Sequence, residues 1–537
     1  MYFGYRGLVC KPGATPAVGS FGAAAVFLST GHTPRRVEAL TTMVPATLRR
    51  TLVALALVAA ASHDLRAQRA TSDSIARWVD SIFTQYAKAS TPTPGCAVGV
   101  TRSGQLVLAK GYGFADIDRR TRIGPETPFY LASIAKQFTA MSIVLLAQDG
   151  RLSLDDDIRK WVPEVPSFGH VIMLHHLLNH TSGLRDYLTL LAVTGWPSDG
   201  TLDERQFLDL VARQRALNFP PGEQFLYSNT GYALLSIVVK RASGRTLRDF
   251  AAARIFRPLG MTHSEFRDDH TLAVADRALG YQAVGSTYQV SESHVDVVGD
   301  GGMYSTLADL AKWDANFETG VVGGQEGVAL LQRPTRLNGT DSIPYALGLT
   351  ISTYRGLRTL SHSGAYGGYR STLLRFPAQH TSVITLCNTA SAAPTLAQQV
   401  ATVFLEPQMS PQQVSSIELQ SIASSGSPVF GRSDGDAADA RRRADQLASL
   451  AGSYYSADLD LAVAIVARDG ALVLQRPKSP DIRFTPLSGD LYTSRDQMLL
   501  LVLRNDDGAV SGFTLTIGRV RDLPFVRQGA TRNGGSP

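Results

Sequence analysis

Two hydrophobic rhythms alternate along the chain. A polar helix-like segment runs from residue 69 to about Lys88. Two strand-length apolar runs follow, "CAVGVTR" and "LVLAKGYG", and their junction at Ser103-Gly104 predicts a hairpin. From roughly 127 to 315 the spacing is mainly helical, broken by Gly and Pro turns. Within it, "TPFYLASIAKQFTAMSIVLLAQDG" reads as an amphipathic helix, and "SLDDDIRKWV" as a helix capped by Ser153, with Asp156 three residues on. Strand rhythm returns in "YALGLTIS", "YRSTLLRFP" and "SVITLCN", and "TLAQQVATVFLE" closes the region as a helix. Strands at both ends thus enclose helices. The expected class is α+β: the end strands pair in one antiparallel sheet flanked by helices, with a helical subdomain between them.

The rhythm stops at 406–445, where Ser, Gln, Asp and Gly accumulate as in a linker. Beyond it, "LAVAIVARDGALVLQR" and "MLLLVLRNDDGAVSGFTLTIG" predict hairpins around Asp469-Gly470 and Asp507-Gly508. Residues 446–530 are therefore expected to form a small all-β barrel or sandwich. At the other end, Arg49 and Arg50, the apolar run Leu52–Ala61 and Leu65-Arg66-Ala67 make a signal-peptide pattern over 43–67. Its apolar run is too short to span a membrane. Residues 1–42 are read as an extension outside the fold, and 70–405 as the first domain. The mature chain is expected to be periplasmic or secreted, with no stable membrane span.

Length and charge add two constraints. The 537 residues, 44% of them hydrophobic, exceed one compact domain. The formal charge of +6 sits mostly in the first 67 residues, which leave 45 Lys and Arg against 44 Asp and Glu in the rest. The balance gives no reason to expect a nucleic-acid partner. Cys10 lies in the extension, while Cys96 and Cys387 each fall in an apolar strand; core thiols are the favoured expectation, with a disulfide in an oxidising compartment left open.

Three stretches carry chemistry. Ser133 and Lys136 stand three apart where the long helix begins, so they share a face. The free N–H groups and positive end of a helix favour an alkoxide there. Burial would lower the lysine pKa and leave an amine able to take the serine proton. In "FPPGEQFLYSNTGYALL", Tyr227 offers a phenol for proton transfer, and Asn229 an amide that can donate to a carbonyl and accept from Lys136. In "LSHSGAYGGYRSTLLRFP", Gly364 would let a backbone approach a strand edge. The N–H groups of Ala365 and Ser133 would form an oxyanion hole, each donor being worth roughly 2.7–4 kcal/mol in the transition state.

In this order the three stretches resemble the serine β-lactamase and penicillin-binding-protein family, with its S-x-x-K, [YS]-x-N and [KH]-[ST]-G triplet. They are most similar to the branch of class C β-lactamases, D-alanyl-D-alanine carboxypeptidases and esterases. "HLLNHTSGL", "RIFRPLGM", "GDGGMYSTLADLAKW" and "HSGAYGGYRS" extend the likeness over about 78–405. The resemblance implies Ser133 as nucleophile, Lys136 as its activator, Tyr227 as acid/base, Asn229 as substrate-positioning residue, and His362 and Gly364 on the far wall. Whether Lys136 or Tyr227 takes the first proton stays open. The implied reaction is hydrolysis of an ester or amide in a small-molecule or peptide substrate, through an acyl-enzyme and without cofactor or metal. The alternative is a penicillin- or peptide-binding sensor that acylates once, its barrel holding a ligand or partner; the tail resembles the lipocalin-like domain often attached to the family.

One departure shifts the expectation. Position 362 holds His where many relatives hold Lys, and neutral imidazole attracts a carboxylate weakly unless Arg370 substitutes. His175, His176 and His180 in "LHHLLNHTSGL" lack the H-E-x-x-H spacing of a zinc helix, so no metal is expected there. Ser182 reads as a turn residue, and "GDGGMYS" as a loop near the site.

Overall fold

Alternating or continuous apolar runs give six strands, and their register decides what the sheet brings together. The computed structural model describes residues 73–87, 92–197, 200–339, 341–411, 444–477 and 479–529. The expected extension, the signal segment and residues 412–443 of the expected linker lie outside these, as does Cys10. The sheet is antiparallel, in the order Thr350–Tyr354, Leu357–Tyr366, Tyr369–Phe376, Thr381–Cys387, Cys96–Arg102, Gln105–Tyr112. The N-terminal hairpin therefore closes against the last strand of the same domain, as its end-strand pattern predicts. Ser103 (φ 48°) and Gly104 (φ 74°) make the tight turn, with the left-handed geometry such two-residue loops require.

That register corrects the reading of the cysteines. Cys96 faces Cys387 across two neighbouring inner strands, and the two form a disulfide rather than two core thiols. Both are fully enclosed in a core made by the sheet's outer face, the helix over 73–82 and helix Ala393–Leu405.

The opposite face carries the larger core, built around helix Lys136–Gln148. Eleven of its 13 residues are buried, so it is enclosed nearly all round instead of amphipathic. Helix Asn229–Ser243 packs along it and is as deeply enclosed. Among the capping assignments, Ser153 is displaced. Helix Ile158–Trp161 is capped by Asp157, whose carboxylate accepts the Arg159 N–H at 2.9 Å, while Asp156 accepts the Ser153 N–H.

The tail folds into a closed barrel of eight antiparallel strands in chain order, from Gly452–Ser456 to Val520–Arg527. Leu461, Val463 and Ile465 alternate with more exposed neighbours, and Leu472, Leu474, Phe513, Leu515, Leu523 and Phe525 join them inside. These buried side chains make up the barrel's core.

The barrel is tied to the helical subdomain by buried and half-buried polar contacts. Arg185 and Asp458, each 1% exposed, pair at 2.7 Å. Arg185 also donates to the carbonyls of Arg521 and Asp522 in the last hairpin. Asn218 grips the same hairpin twice, donating to Arg519 O (3.0 Å) and accepting from Arg521 N (2.8 Å). Among the described residues no helix is long and apolar enough to cross a membrane.

Candidate active site

Ser133 sits in a 3₁₀ turn, Ala132–Ala135, that leads directly into helix Lys136–Gln148. Ala132 just before it has φ 48°, a left-handed conformation a side chain adopts only under constraint. The constraint is visible: Leu131 N–H donates to Met303 O (2.8 Å), and Ser371 Oγ donates to Leu131 O (2.7 Å). The close fit also explains Gly364. It lies inside strand Leu357–Tyr366, and a Cβ there would collide with the Leu131 carbonyl and Ser371 Oγ. The expectation that this glycine admits a substrate backbone gives way to a different cause: it admits the protein's own serine-bearing turn.

One turn on, Lys136 is completely buried. Its Nζ lies 2.6 Å from Asp300 O, 2.9 Å from Asn229 Oδ1 and 3.2 Å from Ser133 Oγ. The first two partners can only accept. A neutral amine has two N–H groups, and both are taken by these carbonyl oxygens, so its lone pair is left to face the Ser133 hydroxyl. Burial pulls the Lys136 pKa down to about 8, against the opposing fields of Asp300 and Asp186.

The remaining polar groups are fixed around this pair. Asn229 donates its backbone N–H to Asp186 Oδ2 at 2.7 Å, and with its Oδ1 held by Lys136, its amide N–H₂ is the part left for a ligand. The Tyr227 hydroxyl is pushed up mainly by burial, with neighbouring Ser133 opposing, and stays protonated at neutral pH. Burial likewise raises the Asp300 carboxyl, which accepts from Tyr187 Oη at 3.1 Å.

His362 is buried in its strand, and the direction of its bonds can be followed from end to end. His362 Nδ1 bonds Ser363 O (2.7 Å), an acceptor, so Nδ1 carries the proton and Nε2 accepts from Tyr345 Oη (3.1 Å). Tyr345 Oη in turn accepts from His180 Nε2 (3.1 Å), whose Nδ1 accepts the Ser228 N–H (3.2 Å). Both imidazoles are thereby neutral. Burial and the neighbouring Lys136 agree with this assignment, holding His362 down at about 3 and His180 well below its ordinary value. His180 also packs its ring 4.1 Å from that of Tyr227, supporting the phenol from behind.

These groups converge on a cavity of about 450 Å³, lined by Ser133, Tyr227, Asn229, His362 and Ala365 among others. Lys136 lies beneath its floor and Gly364 behind its wall. Sequence reasoning missed Asp300, Tyr187, Tyr345 and Arg519, all on the lining, and gave His180 no role beyond lacking the spacing of a zinc helix. Its "GDGG" signal near the site was the only pointer to any of them. Arg370 stays outside, donating to Gly367 O and Tyr369 O. His175 and His176 are engaged elsewhere, by Asp155 Oδ1 and by the Met173 N–H.

A family described as Beta-lactamase matches residues 79–404. A D-aminopeptidase of Gluconobacter oxydans is 30% identical over 329 residues, 60% of this chain and 62% of its own length. Penicillin-binding protein 4* of Bacillus subtilis is 30% identical over 305 residues, 53% of this chain and 66% of its own length. The match thus spans just under two thirds of each relative. Among solved structures, the octameric penicillin-binding protein homologue from Pyrococcus abyssi superposes over 85% of this chain and 99% of its own (TM-score 0.55, 22% identity), a likeness of fold.

Proposed function

The chain belongs to the Beta-lactamase family, and on that premise we propose that it is a serine hydrolase cleaving an amide or ester bond through an acyl-enzyme on Ser133. The observation that carries the reading is the buried amine 3.2 Å from the Ser133 hydroxyl, with its other two partners both carbonyl oxygens. Its pKa, brought down to about 8, makes a neutral amine accessible near neutral pH and so a candidate first base. Tyr227, held protonated by burial, is the better acid. In the proposed sequence Ser133 Oγ attacks the carbonyl carbon as its proton passes to Lys136. The oxyanion rests on the N–H groups of Ser133 and Ala365. The leaving group takes a proton from Tyr227, which regains one from Lys136, and water then cleaves the ester to Ser133. None of these steps calls for a metal or organic cofactor.

A relative named as a D-aminopeptidase favours an amide bond and a D-configured residue. Export is supported by the signal-like segment and by the enclosed Cys96–Cys387 disulfide, a bond that persists in oxidising compartments.

The experiment is rapid-quench hydrolysis of p-nitrophenyl butyrate and of D-amino-acid p-nitroanilides. A burst of one equivalent of chromophore followed by steady turnover, both absent from Ser133→Ala, is the expected result. A burst without turnover would favour the sensor, and full activity in Ser133→Ala would refute the assignment.

A further inference from the structure

The cavity has a positive charge that does not come from the domain containing Ser133. His362, at the position where the family resemblance places a lysine in many members, is neutral and committed at both nitrogens. Arg370 is turned away. Lys136 is enclosed beneath the floor. Arg519 is the one Arg or Lys among the described lining residues, and it belongs to the last hairpin of the barrel.

Its placement is built. Asn218 holds the backbone on both sides of the turn, at Arg519 O and Arg521 N, and the enclosed Arg185 holds the carbonyls of Arg521 and Asp522. The guanidinium reaches over the Tyr227 ring at 4.5 Å from its centroid. The nearest carboxylate, Asp186 Oδ2, stands 3.8 Å away and already accepts the Asn229 N–H. Among the described residues the guanidinium makes no hydrogen bond, and its side chain keeps 42% of its surface exposed. A fork of N–H donors left open beside a nucleophile suits a planar carboxylate.

We propose that Arg519 is a specificity-determining residue, supplied by the barrel, that receives a carboxylate carried by the substrate. The charge missing at position 362 is thereby restored from the second domain. The proposal deepens the hydrolase reading and rests on Ser133 and Arg519 facing the same cavity.

The test compares N-acetyl-D-alanyl-D-phenylalanine with its C-terminal carboxamide. Binding to the Ser133→Ala full-length protein is measured by calorimetry, so that it does not depend on turnover. The free acid is expected to bind at least tenfold tighter than the amide. Adding Arg519→Ala should erase that ratio, Arg519→Glu should invert it, and Arg519→Lys should keep part of it. In the otherwise native enzyme the same ratio should change through KM rather than kcat. Equal affinity for the two ligands, no binding of either, or an equal loss for both on Arg519→Ala would overturn the proposal. Failure of the Ser133 chemistry shows separately, as hydrolysis that persists in Ser133→Ala.

Discussion

The two walls of the cavity are built on opposite plans. On the wall given by the first domain, several polar groups are held by more than one partner. Lys136 has three partners, Asn229 is bonded through backbone and side chain, and His180, Tyr345 and His362 form a directed chain ending on backbone groups at both ends. On the wall given by the barrel, the backbone is clamped, but the Arg519 guanidinium, 3.8 Å from Asp186 and stacked over Tyr227, makes no hydrogen bond among the described residues. Groups that must hold one geometry through a reaction gain from being over-determined, because no reorganisation remains when charge develops. A group that selects among ligands must keep its donors available. The contrast separates a fixed chemical apparatus from a recognition element that another domain can supply.

The contrast breaks most completely at the nucleophile. Ser133→Ala should lower kcat/KM by at least about 10⁴-fold while leaving the thermal midpoint nearly unchanged, since the hydroxyl is not part of the core. Lys136→Met comes next, replacing the amine with an apolar chain of similar length. A loss of about 10²–10⁴-fold is expected, measured by steady-state kinetics with circular dichroism to confirm folding. A loss below tenfold would move the role of base to Tyr227.

The seam between the walls is tested by Asp458→Asn. It leaves the Arg185 charge enclosed without its counter-ion, which typically costs about 3–5 kcal/mol. Urea unfolding should show the barrel and first domain separating at lower denaturant, together with a loss of carboxylate preference. The smallest effect is expected from Tyr345→Phe. It strips His180 and His362 of their shared partner, and leaving buried polar groups unsatisfied costs about 1–3 kcal/mol. Stability should fall by that amount while kcat/KM changes by less than tenfold. A much larger kinetic effect would place the histidine chain in proton transfer.

How much of this was legible in the sequence follows from the range of each cause. Ser133 and Lys136 are a local pair, fixed by helical spacing, and the hairpin at Ser103-Gly104 is fixed by turn chemistry. Rhythm also gave the antiparallel sheet and the barrel. The disulfide was hidden because it depends on which residues of two distant strands fall opposite one another. The cause of Gly364 was hidden because the atoms that exclude a Cβ, at Leu131 and Ser371, come from other segments. Asp300, Tyr345 and His180 are ordinary loop or turn residues until three segments meet. Arg519 is an unremarked charge in a hairpin turn, and only the docking of the barrel through Arg185 and Asn218 aims it at Tyr227.

The central claim is that a buried, neutral Lys136 draws the proton from Ser133. It is tested most directly by the rate at which a fluorophosphonate acylates the protein as pH is varied, with the modified peptide identified by mass spectrometry. The sign follows from the depressed lysine pKa: below it the amine is protonated and cannot accept, above it the lone pair is free. The account predicts an adduct on Ser133 whose formation rate rises from pH 6 and levels off above an apparent pKa near 8. A rate independent of pH across that range, or an adduct on any residue other than Ser133, would contradict it.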